Sequence, residues 1–236
     1  MISSLRLPDP VGVVDPIIYT ENEKDGPDNV FLRSNGRHQE QARKLHLKIG
    51  VINEAKGSCY AEMGQTKVIC AVFGPRELTK NESYSDVGKL SCEVYFASSC
   101  RPQQKSIFKT EEEKELGDLF ENALSLSVQL HLFPKSVIEV KINFIYDDGS
   151  FISTALTSAS VALGQAGIQM YDLISASSVS LISGSIYVDC DKKEEERQDG
   201  ALMIAVMPNV NKVATLLQTG CLSQETFCWY IYKNKL

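Results

Sequence analysis

The stretch Gly57–Glu77, GSCYAEMGQTKVICAVFGPRE, decides how this chain is read. It reads as two adjacent strands joined by a hairpin. Tyr60 and Glu62 before the turn, and Val68, Cys70 and Val72 after it, supply the period-two pattern, and Met63-Gly64-Gln65 supplies the turn. Gly74-Pro75 is expected to stop the second strand, because proline brings no N–H to a ladder. The pattern alone specifies a hairpin and no chemistry.

Working outward, four strands are expected at about 44–52, 58–63, 67–73 and 89–96. The charged stretch Arg76–Gly88 and the stretch Ser98–Ser106 read as loops. The longest helical signal is Glu111–Leu132, where Leu116, Leu119, Phe120, Ala123, Leu124, Leu126, Val128 and Leu130 recur at helical spacing. Pro134 ends it. Val137–Ile145 alternates as a strand, and Ser153–Ala166 reads as a helix of small residues able to approach a sheet closely. Short strands fit Leu173–Ser180, Ser185–Asp189, Ala201–Met207 and Lys212–Gln218, with an acidic loop Asp189–Asp199 between two of them. Residues 1–43, with prolines at 8, 10, 16 and 27, read as an extended arm, and residues 220–236 as a short helical tail. The order is α+β, with one domain expected over 44–219.

Bulk properties bound the function. The 236 residues are 43% hydrophobic and 23% charged, enough chain to bury a core without staples. Net charge is −6, and a protein that grips a polyphosphate by itself usually carries a basic surplus. Seven cysteines (59, 70, 92, 100, 190, 221, 228) form no CxxC pair and no ligand spacing with His38, His46 or His131. They read as reduced thiols of an intracellular protein, several of them buried; no metal and no cofactor are expected. The N-terminus lacks the apolar core of a signal peptide and no stretch is long enough to span a membrane, so no membrane partner is expected.

The hairpin, taken with Asp147–Ile174 (DDGSFISTALTSASVALGQAGIQMYDLI), resembles the RNase PH-like family of phosphate-dependent 3′-exoribonucleases. The likeness runs from about Leu45 to Thr219. It includes Phe133-Pro134-Lys135, the Asp148-Gly149 turn, Val161-Ala162-Leu163 followed by Ala166-Gly167-Ile168, Met170–Ile174, Glu194-Glu195-Glu196 and Met207-Pro208. The resemblance implies an α+β RNase PH-like fold (ribosomal protein S5 domain 2-like), with mixed sheets packed on helices. It further implies a place among the ring subunits of the eukaryotic RNA exosome.

Phosphorolysis brings a phosphate dianion against an RNA phosphodiester that is already negative. Its site therefore needs arginines to hold phosphate, an anion-binding helix N-terminus, and acids for proton transfer or a metal. Active members carry a GGTRT-like turn; the matching stretch is Gly149-Ser150-Phe151-Ile152-Ser153, which puts Ile152 at the arginine position. Glu111 and Glu112 fall where active members carry an RNA-gripping arginine pair, and acids in a first helical turn also complement the macrodipole. The family's catalytic acids align with Glu196 and Leu202, with Asp199 and Asp189 out of register. Arg101, Lys105 and Lys109 are candidate RNA contacts, or solvated loop charge.

The leading expectation is thus a non-catalytic scaffold, with no catalytic residues of its own. What the resemblance implies is a subunit of a six-membered ring around an RNA channel, flanked by other RNase PH-like subunits and capped by S1- and KH-domain proteins. It would serve 3′–5′ RNA processing and degradation, rRNA processing included, in nucleus, nucleolus and cytoplasm. The alternatives are an active phosphate-dependent exoribonuclease and a free-standing RNA-binding module. The first requires a basic clamp, the second a basic face with interleaved aromatics.

Overall fold

In the computed structural model, residues 33, 36–77, 86–98, 100 and 111–220 are described. The described residues from His38 onward belong to one compact unit. Five strands, β1 (Leu45–Ile49), β2 (Gly57–Met63), β3 (Thr66–Glu77), β4 (Lys89–Phe96) and β5 (Ser136–Tyr146), form a sheet of order β1-β2-β3-β5-β4. It is a mixed sheet. β4 and β5 run parallel, and the other pairs are antiparallel. A parallel pair needs a crossover, which helix α1 (Glu111–Ser125) supplies. Helix α2 (Phe151–Gln165) follows, and then an antiparallel second sheet. That sheet has the order β7-β6-β8-β9, built from β6 (Ser175–Ile182), β7 (Ser185–Val188), β8 (Gly200–Met207) and β9 (Lys212–Gly220).

Helix α2 packs on β2 and β3 of the first sheet and on β6 of the second, and its composition permits this. Ala155, Ser158, Ala159 and Ala162 are fully buried, so no long side chain holds the backbones apart. The approach is so close that a Cβ at Gly57 would lie 2.3 Å from the Ala162 carbonyl oxygen. Around this helix the main core gathers Val68, Cys70 and Val72 from β3, Ile142 and Phe144 from β5, Phe120 and Leu124 from α1, and Met203 and Ala205 from β8. The Phe144 ring stacks on Phe96 and meets Phe151 edge-on. A smaller cluster, Val179, Leu202 and Ile204, forms separately within the second sheet.

Three sequence expectations need correction. Cys59 and Ala61 are fully buried in β2, whereas Tyr60 and Glu62 point to the opposite face and are half-buried, joined by a 3.0 Å hydrogen bond. β3 does not stop at Gly74-Pro75. The ladder slips between Phe73 and Arg76, and Arg76↔Val137 and Glu77↔Ser136 resume it, with Arg76 paired to Glu139. The helix expected over Glu111–Leu132 ends at Ser125, and a 3-10 turn covers Leu130–Leu132. Between them the backbone turns to other partners: Tyr171 N donates to Ser127 O, Gln129 N donates to Gln169 O, and Val128 bridges to Met170. The acidic loop 189–199 also holds a short helix, α3 (Lys192–Glu195). Among the described residues, no helix is long and apolar enough to cross a membrane. The tail and the loop carrying Arg101, Lys105 and Lys109 lie outside the described residues.

Candidate functional site

The site is the turn between β5 and α2. Gly149 (φ +81°) and Ser150 (φ +52°) are both left-handed there. A Cβ on Gly149 would lie 2.4 Å from the Cys190 carbonyl oxygen, so the loop after β7 presses directly onto this turn and glycine is required. Thr66 ties the turn to β3: its hydroxyl donates to Gly149 O at 2.9 Å and accepts from Asp148 N at 3.1 Å. Ser150 donates through its hydroxyl to Cys190 O, and Ser178 donates to Ser150 Oγ at 2.6 Å.

Arg43 joins these pieces. Its guanidinium is buried and meets Asp189 side-on, Nη2–Oδ1 at 2.7 Å and Nε–Oδ2 at 3.0 Å. Its backbone N–H also donates to Asp189 Oδ2, Nη1 donates to the Asp148 carbonyl, and Nη2 donates to the carbonyls of Gly149 and, at 3.4 Å, Cys190. Burial works against the charge, but hydrogen bonding to Asp189 and the fields of Asp189, Asp191 and Asp148 outweigh it and push the guanidinium pKa up. The arginine is spent holding protein carboxylates and carbonyls together.

The N-terminus of α2 is where an anion would be received. Here Glu195 Oε1 accepts from Ser150 N at 2.7 Å, and Asp147 Oδ1 accepts from Gly149 N at 3.2 Å. The chain's own carboxylates thus occupy the Gly149 and Ser150 N–H groups of the turn. Burial pushes the Glu195 carboxyl above its usual range; Asp147 and Asp189 push the same way, opposed by the Ser150 bond and Arg43. Burial, then Asp191, raises Asp148 likewise. Glu195 is aimed by α3, whose capping box pairs the Asp191 backbone N–H with the Glu194 carboxylate at 2.9 Å. Among the described residues, Asp147, Asp148, Asp189, Asp191, Glu194 and Glu195 thus surround a turn whose ion-paired cations are Arg43 and Lys192. Within that described set the turn is lined mainly by carboxylates, and its arginine is engaged by Asp189.

The structure places the sequence-derived positions as follows. Gly149 is at the turn, and Ile152 sits in the first turn of α2, half-buried against the core, where it offers neither charge nor donor. Glu111 and Glu112 are exposed at the start of α1. Glu196 faces solvent; the acid delivered to the turn is its neighbour Glu195. Leu202 is buried in the small cluster of the second sheet, so its position supplies no acid. Asp199 accepts from Ser183 N, away from the turn. Sequence reading missed Arg43, placed at the end of an arm, although the spacing Asp191-x-x-Glu194 was a legible cap signal. Among the described residues, no cluster of His, Cys, Asp and Glu is arranged to hold a metal.

The two sheets with helices between them, and a helix N-terminus at a β5–α2 turn, define an exoribonuclease-type domain in which Glu195 takes the Ser150 N–H at the start of α2. The chain matches the 3′ exoribonuclease family, domain 1 over residues 41–169 and domain 2 over residues 172–229, and it belongs to that family. The boundary between the two matches falls inside the stretch expected as one domain. In sequence it is 39% identical over 190 residues to the exosome complex component RRP41-like of Arabidopsis thaliana, covering 80% of this chain and 73% of that one. It is 35% identical over 189 residues to the exosome complex component Rrp41 of Pyrobaculum neutrophilum, covering 79% and 76%. In structure it is similar to Rrp46 of rice (Oryza sativa), with TM-score 0.75, 23% identity, and coverage of 86% of this chain and 92% of that one. It is also similar to a chain of the Archaeoglobus fulgidus exosome with RNA bound to the active site, with TM-score 0.73, 20% identity, and coverage of 87% and 89%. At those identities the structural likeness speaks to the fold, which is the RNase PH-like fold expected from the sequence.

Proposed function

We propose that this chain is a non-catalytic ring subunit of an RNA exosome. It holds neighbouring RNase PH-like subunits in register and forms one wall of the RNA channel, while nucleases carried elsewhere perform 3′–5′ processing and degradation. One observation carries the reading: the Glu195 carboxylate sits on Ser150 N at 2.7 Å, at the helix N-terminus an incoming phosphate would use, while Ile152 stands at the arginine position. The exposed Glu111 and Glu112 support it, because they present charge of the wrong sign to an RNA backbone. Its partners are other RNase PH-like subunits, S1- and KH-domain cap subunits and RNA in transit, in nucleus, nucleolus and cytoplasm. Among ring subunits we assign it to the mRNA-transport-regulator-three type on Met170–Ile174, Glu194–Glu196 and Met207-Pro208.

The second reading, an active phosphorolytic subunit, is favoured by the Rrp41-type relatives. Purifying the chain with co-expressed exosome subunits, and assaying single-stranded RNA plus phosphate for nucleoside diphosphates, separates the two. The expected result is a stoichiometric complex with no release attributable to this chain. Release abolished by Glu195→Ala would establish the active reading instead.

A further inference from the structure

Strand β1, Leu45-His46-Leu47-Lys48-Ile49, is the outer strand of the five-stranded sheet among the described residues. Gly50 N donates to Ser58 O at 2.9 Å, and the β1–β2 register runs Ile49↔Cys59, Lys48↔Tyr60, Leu47↔Ala61. In an antiparallel ladder, hydrogen-bonded and open pairs alternate. Lys48 and His46 therefore bond inward to β2, and the backbone groups of Leu45, Leu47 and Ile49 face outward. The same three residues expose their side chains, at 43%, 42% and 57%, on the sheet face that carries buried Cys59 and Ala61. On the opposite face stand His46 and Lys48, preceded by exposed Lys44, and none of the three is ion-paired with a described residue.

We propose that β1 is a docking edge for an extended segment of another polypeptide in which acidic and apolar residues alternate. The segment adds a sixth strand, its apolar residues beside Leu45, Leu47 and Ile49 and its carboxylates beside His46 and Lys48. Charge complementarity decides the occupant. If a second copy paired through its own β1, the register that sets Leu45 opposite Leu47 would bring Lys44 against Lys48, and the one that sets Leu47 opposite Ile49 would bring Lys48 against Lys48; like charges opposed across strands repel. Edge lysines ordinarily keep strands apart; here they weigh against the like copy in those registers and favour an acidic strand in every register. Main-chain bonds give such an edge its affinity and the alternating side chains its selectivity. The inference stands on β1 and not on the ring assignment.

Amide hydrogen exchange on the full chain tests it, with a capped seven-residue peptide of alternating glutamate and valine as the probe. The peptide is expected to slow exchange at Leu45, Leu47 and Ile49 by about tenfold or more, with little change at His46 and Lys48, which already bond to β2. Leu47→Pro, which removes one outward N–H, should abolish that protection. Lys48→Glu should transfer it to a lysine–valine peptide and serves on its own if the proline variant fails to fold. Equal protection by both peptides on the unaltered chain would overturn the proposal, as would none at millimolar peptide. So would protection by a single-stranded RNA oligonucleotide in place of the acidic peptide, or protection that grows with protein concentration alone.

Discussion

Arg43 and Asp189, 146 residues apart in sequence, meet side-on in the interior and lock the chain entering β1 to the loop leaving β7. Both side chains are about 5% exposed, so neither charge has water to fall back on. Removing one member of a buried pair strands the other.

Arg43→Ala is therefore expected to lower the unfolding free energy by about 3–5 kcal/mol. Arg43→Lys should recover part of that, since an ammonium makes a point contact and not a fork. Urea denaturation of the three proteins checks this. A loss below about 1 kcal/mol for Arg43→Ala would mean that the turn at Gly149 does not depend on the pair.

Glu195 gives a pH test with a definite sign. Burial raises its carboxyl above the ordinary value, so the folded state holds the proton more tightly than the unfolded state. Stability tied to this group is then greatest below the unfolded-state pKa and declines as pH climbs through the folded-state one. Glu195→Gln keeps an oxygen for Ser150 N and removes the charge. It should raise the melting temperature at neutral pH, with the gain fading as pH falls and gone by about 4. A gain that persists unchanged at pH 3 would assign the effect to packing.

The strands were legible because alternation is local: each residue's face follows from its neighbours, and the expected strands are present with ends moved by a few residues. Contacts made at a distance were not. Arg43 looked like the end of an arm because its partner lies 146 residues on. Glu195 and Glu196 are adjacent acids in a charged loop, and only the turn of α3, rotating successive side chains by about 100°, aims the first at Ser150 and the second at solvent. The continuation of β3 past Pro75 was hidden for the same reason, because the resumed pairing is made by β5, some sixty residues later in the chain.

Asp172 behaves in the opposite sense to Glu195. Burial would raise its carboxyl, but bonds from the Asn209 side chain and from the backbone of Asn209, Val210 and Leu173 outweigh that and hold it below the ordinary value. These bonds fasten the β8–β9 turn to the segment after α2. The stabilisation is present above the unfolded-state pKa and is lost as pH falls through the folded-state one. Asp172→Ala should cost about 1.5–3 kcal/mol at neutral pH, a difference that shrinks on acidification. Parallel unfolding curves at pH 7 and pH 3 check this, and an equal loss at both would remove the carboxylate from the explanation.

The last prediction concerns catalysis. Ile152→Arg restores the cation that the resemblance expects in the turn, yet it should not create phosphorolysis. The Ser150 N–H would still be taken by Glu195, the acids around Gly149 would still repel a dianion, and Glu111 and Glu112 would still present negative charge at the start of α1. Groups that act as a unit are not recovered one at a time. Adding Glu195→Gly should free the helix N-terminus, and the double variant should bind inorganic phosphate more tightly than either single one, read by titration calorimetry. Turnover should remain absent, since Leu202 supplies no acid. Nucleoside diphosphates released by Ile152→Arg alone, above the level of a heat-killed control, would mean that the rest of the site is intact and that the chain is an enzyme one side chain short.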